Sequence, residues 1–205
     1  MTDYGKRFWE AHWTGPAVER RVPVNPYLMA ETADLTAGTA LDAGCGAGAE
    51  AMWLAEQGWM VTAADISSAA LATAQAHAAE AGLDDRIEWV EADLARWEPG
   101  RSWDLVVTNY AHADIGQIAL YRRLSTWVAH GGTLLIVGHL PGDHDDDRAA
   151  NDHPEAATAT LEGITSLLRG PQWRIEASYE STRTVHPSDH AVHLRDVVVR
   201  AYRHP

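Results

Sequence analysis

The segment Asp42-Ala43-Gly44-Cys45-Gly46-Ala47-Gly48 follows a short apolar run, Thr39-Ala40-Leu41, and leads into Glu50-Ala51-Met52-Trp53-Leu54-Ala55. Nothing else in the chain constrains the fold as tightly. Glycine takes positive φ and lets a ligand approach with no Cβ in the way. A strand that turns on glycines into a helix start leaves backbone N–H groups facing outward, a corner suited to a nucleotide. Asp65 then ends the next apolar run, Trp59 to Ala64. It lies about 20 residues beyond the glycines, where such folds meet ribose hydroxyls.

Two ligand patterns fit the glycines. Gly44, Gly46 and Ala49 satisfy the dinucleotide spacing G-x-G-x-x-[GA]. Asp42 with Gly44, Gly46 and Gly48 satisfies D-x-G-x-G-x-G. Three later segments favour the second. Glu91-Ala92-Asp93-Leu94 follows the apolar run Ile87 to Val90. Trp103-Asp104-Leu105-Val106-Val107-Thr108-Asn109 is a strand with a polar tip. Gly131-Gly132-Thr133-Leu134-Leu135-Ile136-Val137 starts another. In this order and spacing the set resembles the class I S-adenosylmethionine (SAM) dependent methyltransferases, over about Pro26 to Val199. The N-terminal aromatic helix and short length resemble the compact members that act on small molecules, of thiopurine or tellurite type.

Charge points the same way. SAM carries a sulfonium and an ammonium group, whereas a dinucleotide carries pyrophosphate. Walls bearing Asp42, Asp65 and Asp93, with no Lys or Arg between Gly38 and Ala81, favour the cation. The formal net charge is −13 and Lys6 is the single lysine, which argues against a phosphate-tracking surface and hence against nucleic acid as partner. No apolar run approaches the roughly 20 residues of a bilayer span, and the N-terminus has no signal-peptide core. One cysteine excludes an intrachain disulfide framework and a cysteine zinc cluster. The expected location is cytoplasmic, with no membrane partner; the oligomeric state is left open.

The expected architecture is α/β: a doubly wound, mostly parallel Rossmann-like sheet with helices on both faces and a C-terminal antiparallel hairpin. One domain spans 1–205, with a helical cap or lid over 1–37 and the core over 38–205. Helices are expected over Arg7–Trp13, Asn25–Leu35 (Asn25 as cap, Pro26 first), from Glu50, over Ser68–Ala81 (Ser67 cap, Gly82 end), near 115–129 and near 158–169, the last stopped by Gly170 and Pro171. Strands beyond the first two are expected near 86–91, 103–108 and 132–138, then over Trp173–Ser181 and Val192–Tyr202. Loops fill 14–24, 140–155 and the stretch His186-Pro187-Ser188-Asp189.

Ligands of such sheets sit beyond the carboxyl ends of the strands. The resemblance assigns SAM, and its product S-adenosylhomocysteine, to Asp42, Gly44, Cys45, Gly46, Gly48, Asp65, Ile66, Asp93, Leu94 and Asn109. Asp42 orients the amino group, Asp65 the ribose hydroxyls and Asp93 the adenine amino group; Ile66 and Leu94 flank the ring. Cys45 is read chiefly as a small packing residue of the turn, and Asp65 equally fits a helix-capping acid. Asn109-Tyr110-Ala111 lacks the prolines of the amino-methylating members, which removes support for nucleobase or glutamine N-methylation. A small-molecule acceptor is expected near Trp9, Trp13, Tyr110 and His112. His112, then His139, are the candidate general bases, since histidine accepts a proton near neutrality. His112 also fits a loop histidine bonded to backbone. Trp9, His12 and Trp13 share a helical face that serves as lid or, more simply, packs on the core. The run Pro141 to His153 is read as a solvated acidic loop rather than a metal site, and no metal is assigned. The alternative functions are an NAD-dependent oxidoreductase and a SAM-binding protein without catalysis.

Overall fold

The computed structural model describes residues 5–14, 23–141, 158–185 and 192–205. The loops expected over 14–24, 140–155 and 186–189 fall largely outside them, as does the acidic run with its metal alternative.

Seven strands form one sheet: β1 (Thr39–Ala43), β2 (Met60–Asp65), β3 (Ile87–Glu91), β4 (Trp103–Asn109), β5 (Val128–His139), β6 (Trp173–Val185) and β7 (Val192–Arg203). Their spatial order is β3-β2-β1-β4-β5-β7-β6. The first five are parallel, and β7 pairs antiparallel with both β5 and β6. The strand order reverses between β1 and β4, the switch point at which a doubly wound sheet opens its binding crevice.

The apolar runs account for this arrangement. Residues alternate faces along a strand, so a central strand covered by helices on both sides must be apolar throughout. On one face Leu41, Val106, Leu134, Ile136, Val197 and Val199 are buried under α5 (Gln117–Thr126) and α6 (Leu161–Leu167). Their neighbours Ala40, Leu105, Val107, Leu135, Val137 and Val198 face α2 (Pro26–Thr32), α3 (Ala49–Glu56) and α4 (Ser68–Ala81). Each fully buried Leu or Val of these layers contributes roughly 1.5–3 kcal/mol. The caps at Asn25 and Ser67 are as read: Asn25 accepts the N–H of Tyr27, and Ser67 that of Ala70. Gly82 ends α4 in the left-handed region.

Several boundaries differ from the sequence reading. Helix α5 ends at Thr126 and β5 begins at Val128, inside the stretch expected to be helical, because Val128 pairs with Trp103 beside a register shift. Strand β6 extends to Val185, since the partner strand continues to offer ladder hydrogen bonds up to Val192. Helix α2 stops at Thr32 and α6 at Leu167. Gly170 is not the cap of α6; its carbonyl accepts the N–H of Trp173 in the turn into β6.

Helix α1 (Lys6–Trp13) buries none of its residues completely. It is held on the carboxyl edge of the sheet by its polar groups. Glu10 accepts hydrogen bonds from the backbone N–H groups of Ser68 and Ala69 and from both hydroxyls of Ser67 and Ser68. A carboxylate at the start of a helix satisfies orphan donors and meets the positive end of its dipole. These bonds lower the Glu10 pKa, led by that from the Ser68 hydroxyl. Lys6 pairs with Glu91 at the tip of β3.

Candidate functional site

The carboxyl ends of β1, β2 and β4 open on a cavity of about 650 Å³, closed above by α1. That volume lies within the range of small-molecule sites. Gly44, Cys45, Gly46, Asp65, Ile66, Asp93, Leu94, Asn109, Tyr110, His112, Trp9 and Trp13 all line it. Asp42, Gly48 and His139 are not in its wall.

The glycines have different reasons to be there. All three have positive φ: 81° at Gly44, 50° at Gly46 and 81° at Gly48. A Cβ on Gly44 would lie 2.3 Å from the Cβ of Ala111, and one on Gly46 would lie 2.7 Å from the Trp13 indole. These two positions bring backbone to the cavity. A Cβ on Gly48 would instead meet Trp89 at 2.7 Å and Ala74 at 2.9 Å. Gly48 caps α3 and is set by packing behind the turn.

Asp65, at the tip of β2, is 8% exposed. One carboxylate oxygen accepts the N–H of Gly46 and the other that of Ser67, each at 2.9 Å. It therefore ties the glycine turn to the start of α4 while facing the cavity. Burial raises its pKa despite these bonds. Both expected roles, capping acid and ligand acceptor, are compatible with this position, because each oxygen keeps a second lone pair.

Asp42 departs from the expectation. It is 1% exposed, its Oδ2 has no hydrogen-bond partner, and it lies beneath the turn. Burial, then the charges of Glu50 and Asp65, push its carboxyl well above the usual range. The carboxylate that reaches the cavity from this corner is Glu50, in the first turn of α3. It accepts the Asn25 N–H at 3.0 Å, and burial raises its pKa too. The sequence carried a signal for Glu50: an acid two residues past the last glycine, where a helix N-terminus faces the ligand.

Asp93 lines the cavity but is not a bare acid. Arg96 bonds it and also Asp114, the latter at 2.9 Å, while Asp93 Oδ1 accepts the N–H of Ala95. The acidic wall expected from Asp42, Asp65 and Asp93 is thus rearranged. Uncompensated carboxyls are Asp65 and Glu50, and Arg96 balances the Asp93 end. Cys45 is buried, and desolvation followed by the Asp42 charge pushes its thiol well up, which fits a packing residue.

Beyond β4 the backbone is strained. Tyr110 is the one non-glycine residue with positive φ among those described, at 56°. Its ring stacks on His139 with centroids 4.3 Å apart. His139, buried at the end of β5, has Nδ1 3.6 Å from Asp196 Oδ1. It sits behind Tyr110 rather than in the wall. His112 lines the cavity with both ring nitrogens buried, its ring 6.1 Å from that of Trp9 at 23°. Asn109, at the tip of β4, has both amide atoms buried and unpartnered. Arg183 of β6 completes this end. Neither Arg183 nor its partner Asp196 was legible as a site residue, since both come from the C-terminal hairpin and carry no local motif.

Residues 40–132 match the family model described as "Methyltransferase domain". The chain is 37% identical over 108 residues to the ribosomal RNA small subunit methyltransferase C of Alcanivorax borkumensis, covering 50% of this chain and 32% of that protein. It is 34% identical over 132 residues to the trans-aconitate 2-methyltransferase of Streptomyces avermitilis, covering 61% and 44%. It thus spans less than half the length of either relative. The magnesium protoporphyrin IX methyltransferase of Synechocystis, solved with bound S-adenosylhomocysteine, superposes with a TM-score of 0.67 at 16% identity, over 97% of this chain and 99% of that one. The matched segment runs from β1 into β5 and carries every strand tip of the cavity. The matched segment and the sheet order are similar to those of methyltransferase domains.

Proposed function

We propose that the chain transfers the methyl group of SAM to a small-molecule acceptor. The observation that carries this reading is one crevice with two chemically distinct ends. The glycine turn, Asp65 and Glu50 lie over β1 and β2; Asn109, Tyr110, His112 and Arg183 lie beyond β4. The donor fits the first end. Gly44 and Gly46 leave close backbone, Asp65 offers acceptors for ribose hydroxyls, and Glu50 takes the amino-group role expected of Asp42. Asp93, Ile66 and Leu94 remain the adenine contacts. The buried carboxyls at this end are stabilised by a cation and less so by the neutral thioether product, which favours product release.

The methyl leaves an activated sulfonium, so the protein has to align the reactants and manage one proton. Holding donor and acceptor in line supplies roughly 7–11 kcal/mol of the barrier reduction. The acceptor atom forms its bond to carbon as the sulfur–carbon bond breaks, and its proton passes to the His112 imidazole. His139 stands one layer behind and supports Tyr110. Trp9 and Trp13 of α1 line the cavity, so within the segment 1–37 expected as a cap it is α1 that covers the site, while α2 packs with the core.

The net charge of −13 and the enclosed volume support a small acceptor over a nucleic acid. No helix among the described residues is long and apolar enough to cross a membrane; we assign the protein to the cytoplasm. A radiolabelled-methyl screen over thiols, phenols, amines and carboxylates, with SAM titrated by calorimetry, tests the reading. Micromolar SAM binding and label transfer to one class are expected. Absence of SAM binding, or NADH binding in its place, overturns it.

A further inference from the structure

We propose, resting on that reading of the cavity, that the acceptor is an anion with an apolar body, a carboxylate being the simplest case, and that Arg183 selects it. Arg183 lies outside the segment that matches the methyltransferase family model, and it is carried by the hairpin. Its Nε donates to Asp196 Oδ2 at 2.7 Å and its Nη2 donates to the Tyr110 hydroxyl at 3.0 Å. The guanidinium carbon lies 5.3 Å from the Tyr110 ring centre. Among the described residues, none accepts a hydrogen bond from Nη1. One edge of the planar fork is therefore held rigidly, and the remaining donors stand in the cavity wall.

The support beneath it is built for that charge. Asp196 is fully buried and receives hydrogen bonds from Arg183 and, at 3.3 Å, from the Tyr27 hydroxyl. A buried ion pair adds little net stability compared with apolar side chains of the same volume. Leucine or methionine in place of Arg183 would serve a mere packing role against Tyr110. A guanidinium, always charged and shaped to grip a carboxylate in two places, serves recognition. The other arginine of the wall, Arg96, is engaged between Asp93 and Asp114. The cavity consequently divides its polar groups. Carboxyl acceptors sit at the donor end, and an arginine with open N–H donors sits at the acceptor end, where a carboxylate can take them. Trp9 and Tyr110 supply the apolar surface for the rest of the acceptor.

The test uses the full chain saturated with S-adenosylhomocysteine. Benzoate, cinnamate and hexanoate are titrated beside their amides by calorimetry, into wild type, Arg183→Gln and Arg183→Lys. At least one carboxylate is expected to bind about 10-fold or more tightly than its amide. Arg183→Gln is expected to weaken that carboxylate by about 10–100-fold, Arg183→Lys by less, with S-adenosylhomocysteine affinity unchanged. Amides that bind as well as the acids, carboxylates that do not bind the saturated protein, or Arg183→Gln without effect on them would overturn the proposal. The comparison of acids with amides in wild type stands even if a variant fails to fold. Failure of S-adenosylhomocysteine to bind at the outset strikes the donor reading instead, so the two failures are separate.

Discussion

The two ends of the cavity are built by different means. The donor end is local: the glycine turn, Asp65, Asp93 and Leu94 all sit within a few residues of the tips of β1 to β3, and each follows its strand directly. The acceptor end is assembled from distant parts: α1, the strained turn after β4, the end of β5 and the hairpin β6–β7. On the proposed function, the donor is met by a fixed local frame, and the acceptor by whatever long-range contacts bring over it. That contrast can be broken or sharpened by substitution.

The largest effect is expected at the acceptor end. His112→Ala should lower single-turnover methyl transfer by about 10²-fold or more while SAM affinity holds. The remaining rate should lose its dependence on pH between about 6 and 9. Transfer that is unchanged across that range removes His112 as the base. Next comes the donor end. Asp65→Ala is expected to weaken SAM binding by ~10–100-fold, from the loss of hydrogen bonds to a charged group. Calorimetry giving wild-type affinity would detach Asp65 from the ligand and leave it only the turn and α4.

The glycines separate packing from binding. Gly48→Ala forces an L residue into the left-handed region and against Trp89 and Ala74. It should cost about 2–4 kcal/mol, a fall in Tm of at least about 5 °C. Gly46→Ala meets a ring on α1, which is held mainly by polar contacts and can swing. It should therefore disturb SAM binding more than Tm, and equal losses of Tm in the two variants would contradict the distinction.

The smallest effect concerns Asp42. Its carboxyl is raised in the folded state, so the native protein binds more protons than the unfolded chain between the ordinary carboxylate pKa and the raised one. Stability of the ligand-free protein should fall as pH climbs through that interval and stay reduced above it. Asp42→Asn should flatten this slope, leaving the part due to Glu50 and Asp65. Thermal melts across pH would show an unaltered slope if the buried Asp42 were not responsible.

Strand tips were legible because they follow local rules. Apolar runs ending in Asp65, Glu91 and Asn109 mark where parallel strands stop, and those ends define the crevice. Boundaries set by pairing were less so. The start of β5 at Val128 depends on Trp103, some 25 residues earlier in the chain, and the reach of β6 depends on β7. Asp42 was misplaced for a related reason. Spacing put an acid at the right strand, but side chains alternate, and only burial shows that this one points under the turn while Glu50 points out.

The sequence by itself determined the sheet and the glycine corner, because backbone conformation and strand burial are dictated by nearest neighbours and by period. Only the tertiary structure decided which carboxyls reach the cavity and that Arg183 stands at its far end. Those outcomes depend on desolvation and on partners brought from far along the chain, such as Asp196 beneath Arg183 and Arg96 beside Asp93, and no local pattern encodes either.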